Sequence, residues 1–468
     1  MRRPRGLLLA AILCAAVGGW IQRASALQTN DELVQMVVTL LADEDKDVRA
    51  IGLDQVRTEA KGEAATREFA AQLPKLSPEA QVGLLSALAD RGDSAAREAV
   101  LQTLASAKDE TVQIAAIAAT GALGQPVDAA ALVSMLEDQS KSKQAAARAA
   151  LVRLPGDAVP TTLAGIIKDD GVAAATRIAL IEILTERRAP GTIPELLDVS
   201  IDADATVRAA AMVSLSQLAG PEHITAMIPG VLHATPGTER EAAEKAVAAV
   251  CGRGDDPATR AEPLIAAMNR LPPAEQMALL PAVGRIGGDA ALQVVETAIG
   301  DAEPQRMQAG VRALCNWPDA SVAPRLIELA KSAPKSELQA MALRALVRVA
   351  PLPDGRSDAD KLALLKQTMS MCQRDEERRL VLRRAAAIRT PEALAFVLPY
   401  LDQPALAPQA CEAVVELAHH RGLREPNKAQ FDAALDRVLA TANDPTVLDR
   451  ATRYKAGQTW VKPKEAPR

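Results

Sequence analysis

Aromatic side chains are nearly missing from this chain: phenylalanine, tyrosine and tryptophan together make up 2% of 468 residues. Beyond residue 26 they are Phe69, Trp317, Phe396, Tyr400, Phe431, Tyr454 and Trp460, too few to wall a large pigment pocket. The only histidines are His223, His233, His419 and His420, and none is followed by glutamate. Metal chemistry built on repeated His-Glu pairs or on His-Glu-x-x-His therefore lacks its ligands. No Gly-x-Ser-x-Gly elbow, no phosphate loop ending in Gly-Lys-Ser/Thr and no Cys-x-x-Cys-His haem site occurs. Runs of Val, Ile and Thr with strand-like alternation are absent as well. What remains is rich in Ala, Leu and Val, which favours helices that approach closely.

Positive charge is not in excess either, with 54 basic against 59 acidic residues. The first 26 residues read as a secretory signal. Arg2, Arg3 and Arg5 form a basic start, Gly6 to Trp20 is an uncharged and mostly apolar run, and Ala24-Ser25-Ala26 supplies a small-residue cleavage pattern. The apolar run falls short of the roughly 20 residues that span a bilayer. Lipidation at Cys14 is disfavoured by Leu13, which stands where a small residue belongs, and Arg2-Arg3 lacks the context of a twin-arginine signal. Cleavage after Ala26 would take away Arg2, Arg3, Arg5 and Arg23, leaving 50 basic against 59 acidic residues, a net of −9. Nucleic acid is a poor partner for such a balance. The expectation is a periplasmic or secreted protein without stable membrane insertion. Cys251, Cys315, Cys372 and Cys411 each sit in an apolar run, no two of them close in sequence, and are expected to be buried free thiols.

A short phrase recurs thirteen times, clearest at Asp45-Lys46-Asp47-Val48-Arg49, Asp109-Glu110-Thr111-Val112-Gln113 and Asp204-Ala205-Thr206-Val207-Arg208, and last at Asp444-Pro445-Thr446-Val447. Aligned on Val48, the landmarks are Val82, Val112, Lys143, Ala175, Val207, Arg240, Gln276, Arg306, Leu338, Arg378, Gln409 and Val447, spaced 30 to 40 residues apart. Each unit has room for two short helices and two turns. Asp45, Asp109, Asp204 and Asp444 are the expected caps of the second helices. Val turns inward, and Ala209, Ala210, Met212, Val213, Leu215 and Leu218 form the expected buried stripe of one copy.

Asp-x-x-Val-Arg-x-x-Ala with Ala-Leu-Gly-like endings resembles HEAT repeats of the short bacterial, PBS-lyase type, over about residues 30 to 455. The copies at Val48 and Val207 match closely; that at Val112 carries Gln113 where arginine is usual. The resemblance implies an all-α, right-handed α-solenoid of about 12–13 antiparallel helix pairs, second helices lining the concave side. Its enzyme members are poor guides here. Bilin lyases would want aromatic walls, di-iron hydroxylases want His-Glu pairs, and HEAT-like DNA glycosylases want a basic face.

Residues 27–455 are thus expected to form the repeat array, irregular around 252–275 and 351–360, and 456–468 a mobile tail. Asp354, Asp358 and Asp360 are read as a capped helix start rather than a calcium loop, and His419-His420 as a helix end. Arg374, Arg378, Arg379, Arg383, Arg384 and Arg389 crowd one hairpin beside Asp375, Glu376 and Glu377, where pairs such as Asp375–Arg379 partly neutralise them. The function expected is a non-catalytic binding or scaffolding protein, monomeric, with protein partners and no cofactor or metal. Candidate partner-binding residues are Arg49, Arg208, Arg344, Arg378, Arg379, Arg383, Arg384 and Trp460. An accessory subunit of an exported enzyme or redox complex is the alternative, and a HEAT-like lyase with an unrecognised site the third reading.

Overall fold

The computed structural model describes residues 31–461, so the leader at 1–26 and the end of the tail at 462–468 lie outside the described residues. Every regular element among the described residues is helical. The chain divides into two units, one ending at Ala219 and the other starting at Gly220. Both irregular stretches foreseen from the sequence lie inside the second unit.

In the first unit, one row of helices is α1 (31–41), α3 (Glu63–Ala70), α5 (Arg97–Ser106), α7 (Ala129–Ser134), α9 (Val159–Ile167) and α11 (Ile193–Val199). The second row is α2 (Lys46–Thr58), α4 (Pro78–Arg91), α6 (Glu110–Leu123), α8 (Lys141–Arg153), α10 (Ala174–Glu186) and α12 (Ala205–Leu218). From α4 onward, each second-row helix packs on its own first-row partner and on the second-row helix before it. This is the stacking of an α-solenoid.

The second unit repeats the scheme. Its first row is α13 (Ile224–His233), α15 (Glu262–Met268), α17 (Asp289–Ile299), α19 (Ala323–Ser332), α21 (Asp358–Met371), α23 (Pro391–Val397) and α26 (Lys428–Thr441). Its second row is α14 (Thr238–Cys251), α16 (Pro273–Ile286), α18 (Pro304–Cys315), α20 (Ser336–Val349), α22 (Asp375–Ala385), α24 (Ala407–His419) and α27 (Pro445–Lys455), with a single turn, α25 (Arg421–Arg424), ahead of α26. The described residues therefore hold thirteen pairs, and each landmark falls in the first turns of one second-row helix.

The phrase works as a cap. Asp109 and Asp204 each accept from the two backbone amides that follow at the helix start, as does Asp444, while Asp45 accepts from the Asp47 amide. Inward positions then carry the packing: in α12 these are Val207, Ala211, Met212, Ser214 and Leu215. Val213, expected in that stripe, is instead 51% exposed, because its neighbours Met212 and Ser214 occupy the flanks of the buried arc. A register slip occurs in α22, where Glu377 rather than Arg378 turns inward; Glu377 is buried and takes Arg374 at 3.0 Å.

Small residues explain the scarcity of aromatics. A Cβ on Gly121 of α6 would lie 2.6 Å from Ala150 Cα of α8, and one on Gly284 of α16 would lie 2.0 Å from the Ala313 carbonyl oxygen of α18. Backbones this close leave little volume for rings.

The irregular loop at 351–357 is tied down rather than loose. Arg356 Nε donates to both Asp354 oxygens at 2.8 and 2.9 Å, its Nη2 reaches the Val349 and Ala350 carbonyls, and Ser357 caps α21. Of the four thiols, Cys251, Cys372 and Cys411 are buried and Cys315 is partly buried; all are free.

Candidate functional site

Arginine decides where a site can be, because this chain uses it in three ways. The first is a clasp that closes an individual repeat, seen at α2 and α12. Arg49 Nη1 donates to the Asp43 and Glu44 carbonyls, both at 2.9 Å, and Arg208 Nη1 to those of Asp202 and Ala203 at 2.7 and 3.0 Å. These carbonyls lie in the turn between the two helices of a repeat, where no backbone ladder satisfies them, and the side chains supply a partner. Gln113, Gln144 and Gln339 do the same with their amides, each to the carbonyl six residues earlier. Glutamine at 113 is thus no departure from the pattern. Arg49 and Arg208, candidates for partner binding, thus each also hold their own repeat closed through Nη1.

A second use clamps one repeat to the previous one. Arg91 donates to the carbonyls of Val56, Glu59 and Ala60 at 2.6 to 2.9 Å, and Arg187 to those of Leu151, Val152 and Leu154. Both sets of carbonyls end the preceding second-row helix, where a cation also meets the negative end of the helix dipole. Arg348 grips the Cys315 and Trp317 carbonyls, and Arg384 the Arg348 carbonyl at 3.2 Å. Arg379 Nε donates to the Ala405 carbonyl at 2.9 Å, and Arg378 pairs with Asp375. The pairing of Asp375 with Arg379 expected from the sequence is therefore corrected to Arg378. Within the arginine hairpin, Arg379 and Arg384 serve the fold.

The third use is outward. Arg344 and Arg383 are exposed, with neither an ion pair nor a hydrogen bond among the described residues. Trp460 returns to α27, where its Nε1 donates to Asp449 at 2.9 Å and its ring lies 5.2 Å from the Arg450 guanidinium carbon. His419 Nδ1 meets the Tyr454 hydroxyl at 2.9 Å. No group of three or more potential metal ligands occurs among the described residues, and no described helix is long and apolar enough to cross a membrane.

A groove forms on the open face of the second row, at helices that the sequence did not single out. Helices α14, α16 and α18, with Met341 from α20, enclose a groove of about 860 Å3. Its lining includes Glu241, Glu244, Met277, Arg285, Gln308 and Arg312. A second hollow of about 650 Å3 shares Arg240, Ala274 and Ala278 with it and is walled by Ile228, Leu232 and Leu271. Ala267, Arg270 and Leu271, from the irregular connection between α14 and α16, line the second hollow.

Glu244, 4% exposed, meets Arg285 Nε at 3.1 Å in this lining. Burial raises the Glu244 carboxyl above its usual range, and Arg285 partly offsets that. Farther along the row, burial lowers the Arg348 guanidinium, and the nearby cations Arg285 and Arg384 lower it further. The groove is a mixed polar and thioether surface suited to binding a chain segment. Glu244 could have been suspected from sequence, since it interrupts the Ala- and Val-rich run of α14 at an inward position. Arg312 falls at the helix position that Arg344 and Arg383 occupy.

A family model described as HEAT repeats matches residues 66–152, from α3 into α8. That stretch carries HEAT repeats. No curated protein matches. Among solved structures, the chain is similar to Kap121p at 14% identity and TM-score 0.45, over 90% of this chain and 53% of that one. Kap121p bound to Nup53p gives 12% identity and TM-score 0.44, over 88% and 53%. Importin beta gives 15% and 0.35, over 91% and 64%. The chain thus spans about half the length of Kap121p.

Proposed function

We propose that this chain is a non-catalytic protein-binding scaffold that acts outside the cytoplasm. The groove carries the first part of the reading. It is built by the open face of the second-row helices, offers charged, amide and thioether groups in one hollow, and leaves Arg312 exposed at its edge. Solenoids generally bind through such extended surfaces. The export reading is supported by the basic start, apolar run and Ala24-Ser25-Ala26 of the leader.

A photo-crosslinking residue at Gln308, in the groove, should trap a partner protein in cells. The same residue at Gln293, exposed on α17 of the first row, should not. Adducts at neither position, or equally at both, would remove the basis for a groove-directed scaffold. Export is tested separately by sequencing the N-terminus of the recovered protein. Leu27 as first residue is expected, and a retained Met1 contradicts it.

A further inference from the structure

Arg312, Arg344 and Arg383 occupy the same place in three successive second-row helices: each is the ninth residue, of α18, α20 and α22 respectively. The three helices pack side by side. Every second-row helix is buried against its first-row partner and flanked by its neighbours, so exposed mid-helix positions share the one open face. All three arginines are exposed, and none has an ion pair or hydrogen bond among the described residues. The structure therefore holds a row of three free guanidiniums, one per helix.

Packed helices lie about 8–10 Å apart. A polyproline II chain rises about 3.1 Å per residue and turns once in three, so every third side chain recurs on one face at about 9.3 Å. The two repeats match. We propose that this row docks an extended acidic peptide segment of a partner protein, laid across the helices, with a carboxylate at every third residue. The inference deepens the scaffold reading and rests on it.

Three observations favour a short acidic peptide over a long polyanion. Exposed carboxylates border the row on both sides, with Glu241 on α14 and Glu412 on α24. Between the row and α14, the ninth residue of α16 is buried Pro281, which breaks the series. Met341 sits beside Arg312 in the groove lining and offers contact to the uncharged residues of a peptide. Glu337 and Glu376 lie on the same helices seven residues before Arg344 and Arg383, about 10 Å along the axis, too far to neutralise them. Carboxylates, in contrast, can meet each guanidinium in paired hydrogen bonds.

Fluorescence anisotropy with the purified chain tests this. The probe is a dye-labelled peptide of repeated Glu-Pro-Ala triplets, and its control has the same composition with the glutamates clustered at one end. The triplet peptide should bind at least about tenfold more tightly. R312E/R344E/R383E should abolish binding, while R344Q and R383Q should each weaken it about three- to tenfold. Unchanged melting temperatures would confirm that the variants fold. Equal affinity for the two peptides, binding that survives the triple variant, or displacement of the triplet peptide by an equally charged oligonucleotide with equal strength would each overturn the proposal. If Gln308 traps a partner while the triplet peptide fails to bind, the acidic dock falls and the scaffold stands. If neither occurs, both fall.

Discussion

Glu244 and Arg285 meet at 3.1 Å across two successive second-row helices, the glutamate 4% and the arginine side chain 16% exposed. A pair held this far from water locks α14 against α16 beneath the groove, but its ions lose hydration that their attraction only partly returns. Burial keeps the carboxyl above its usual range. The native state thus holds this proton more tightly than the unfolded chain. The group's contribution to stability is therefore largest below the unfolded glutamate value and declines as pH rises through the raised native one. Glu244→Gln cannot ionise. The melting temperature of the wild type minus that of E244Q should fall between pH 4.5 and pH 7.5; a constant or rising difference would refute this. Arg285→Gln strands the carboxylate and should cost about 3 kcal/mol at neutral pH by denaturant titration.

The clasp at the start of α2 makes a separate prediction. Arg49→Ala removes two hydrogen bonds to the Asp43 and Glu44 carbonyls and should destabilise the protein by about 1–2 kcal/mol. Arg49→Gln should cost less than about half of that, because Gln113 makes the equivalent bond. Urea unfolding of both variants measures this, and equal losses would mean that arginine acts there by charge alone. Neither substitution should alter crosslinking from Gln308.

The same letters proved readable in the repeat and unreadable in the site. Asp204 and Val207 could be placed because capping and inward spacing are local to one helix. Arg378 falls at the aligned landmark of α22, yet Glu377 holds the inward place, since a buried glutamate shows itself only once its partner Arg374 is positioned. Arg49 stands in the first turn of α2 and folds back to carbonyls, whereas Arg344 lies two turns into α20, where Gln339 already holds the equivalent place, and points to solvent. The groove depends on the relative placement of four helices, which no stretch of sequence encodes alone.

Gly284 tests how tightly those helices are set. A Cβ there would sit 2.0 Å from the Ala313 carbonyl oxygen, so α16 and α18 must separate to admit any side chain. Alanine usually improves a helix interior by about 1 kcal/mol over glycine, whereas overpacking costs about 1–3 kcal/mol or more. Contact with rigid backbone makes the second effect win. Gly284→Ala should lower stability, and Gly284→Val should lower it further and change the groove. Stabilisation by alanine in thermal melts would show that the two helices have slack.

The thiols probe whether the stack opens. Burial pushes Cys251 and Cys315 up to about 12, and Cys372 and Cys411 to about 11. Thiolate is the reactive form, so at pH 8 no more than about one molecule in a thousand would carry it at any of these positions. Labelling by a thiol reagent should be slower in the native protein than in denaturant by about a hundredfold or more. Cys315, which is only partly buried beside the carbonyl clamp of Arg348, is the informative case. Arg348→Ala frees the Cys315 and Trp317 carbonyls and loosens α20 from α18, so Cys315 should label faster while Cys411, two second-row helices away, keeps its rate. Equal acceleration at both would mean that the second unit opens as a whole rather than repeat by repeat.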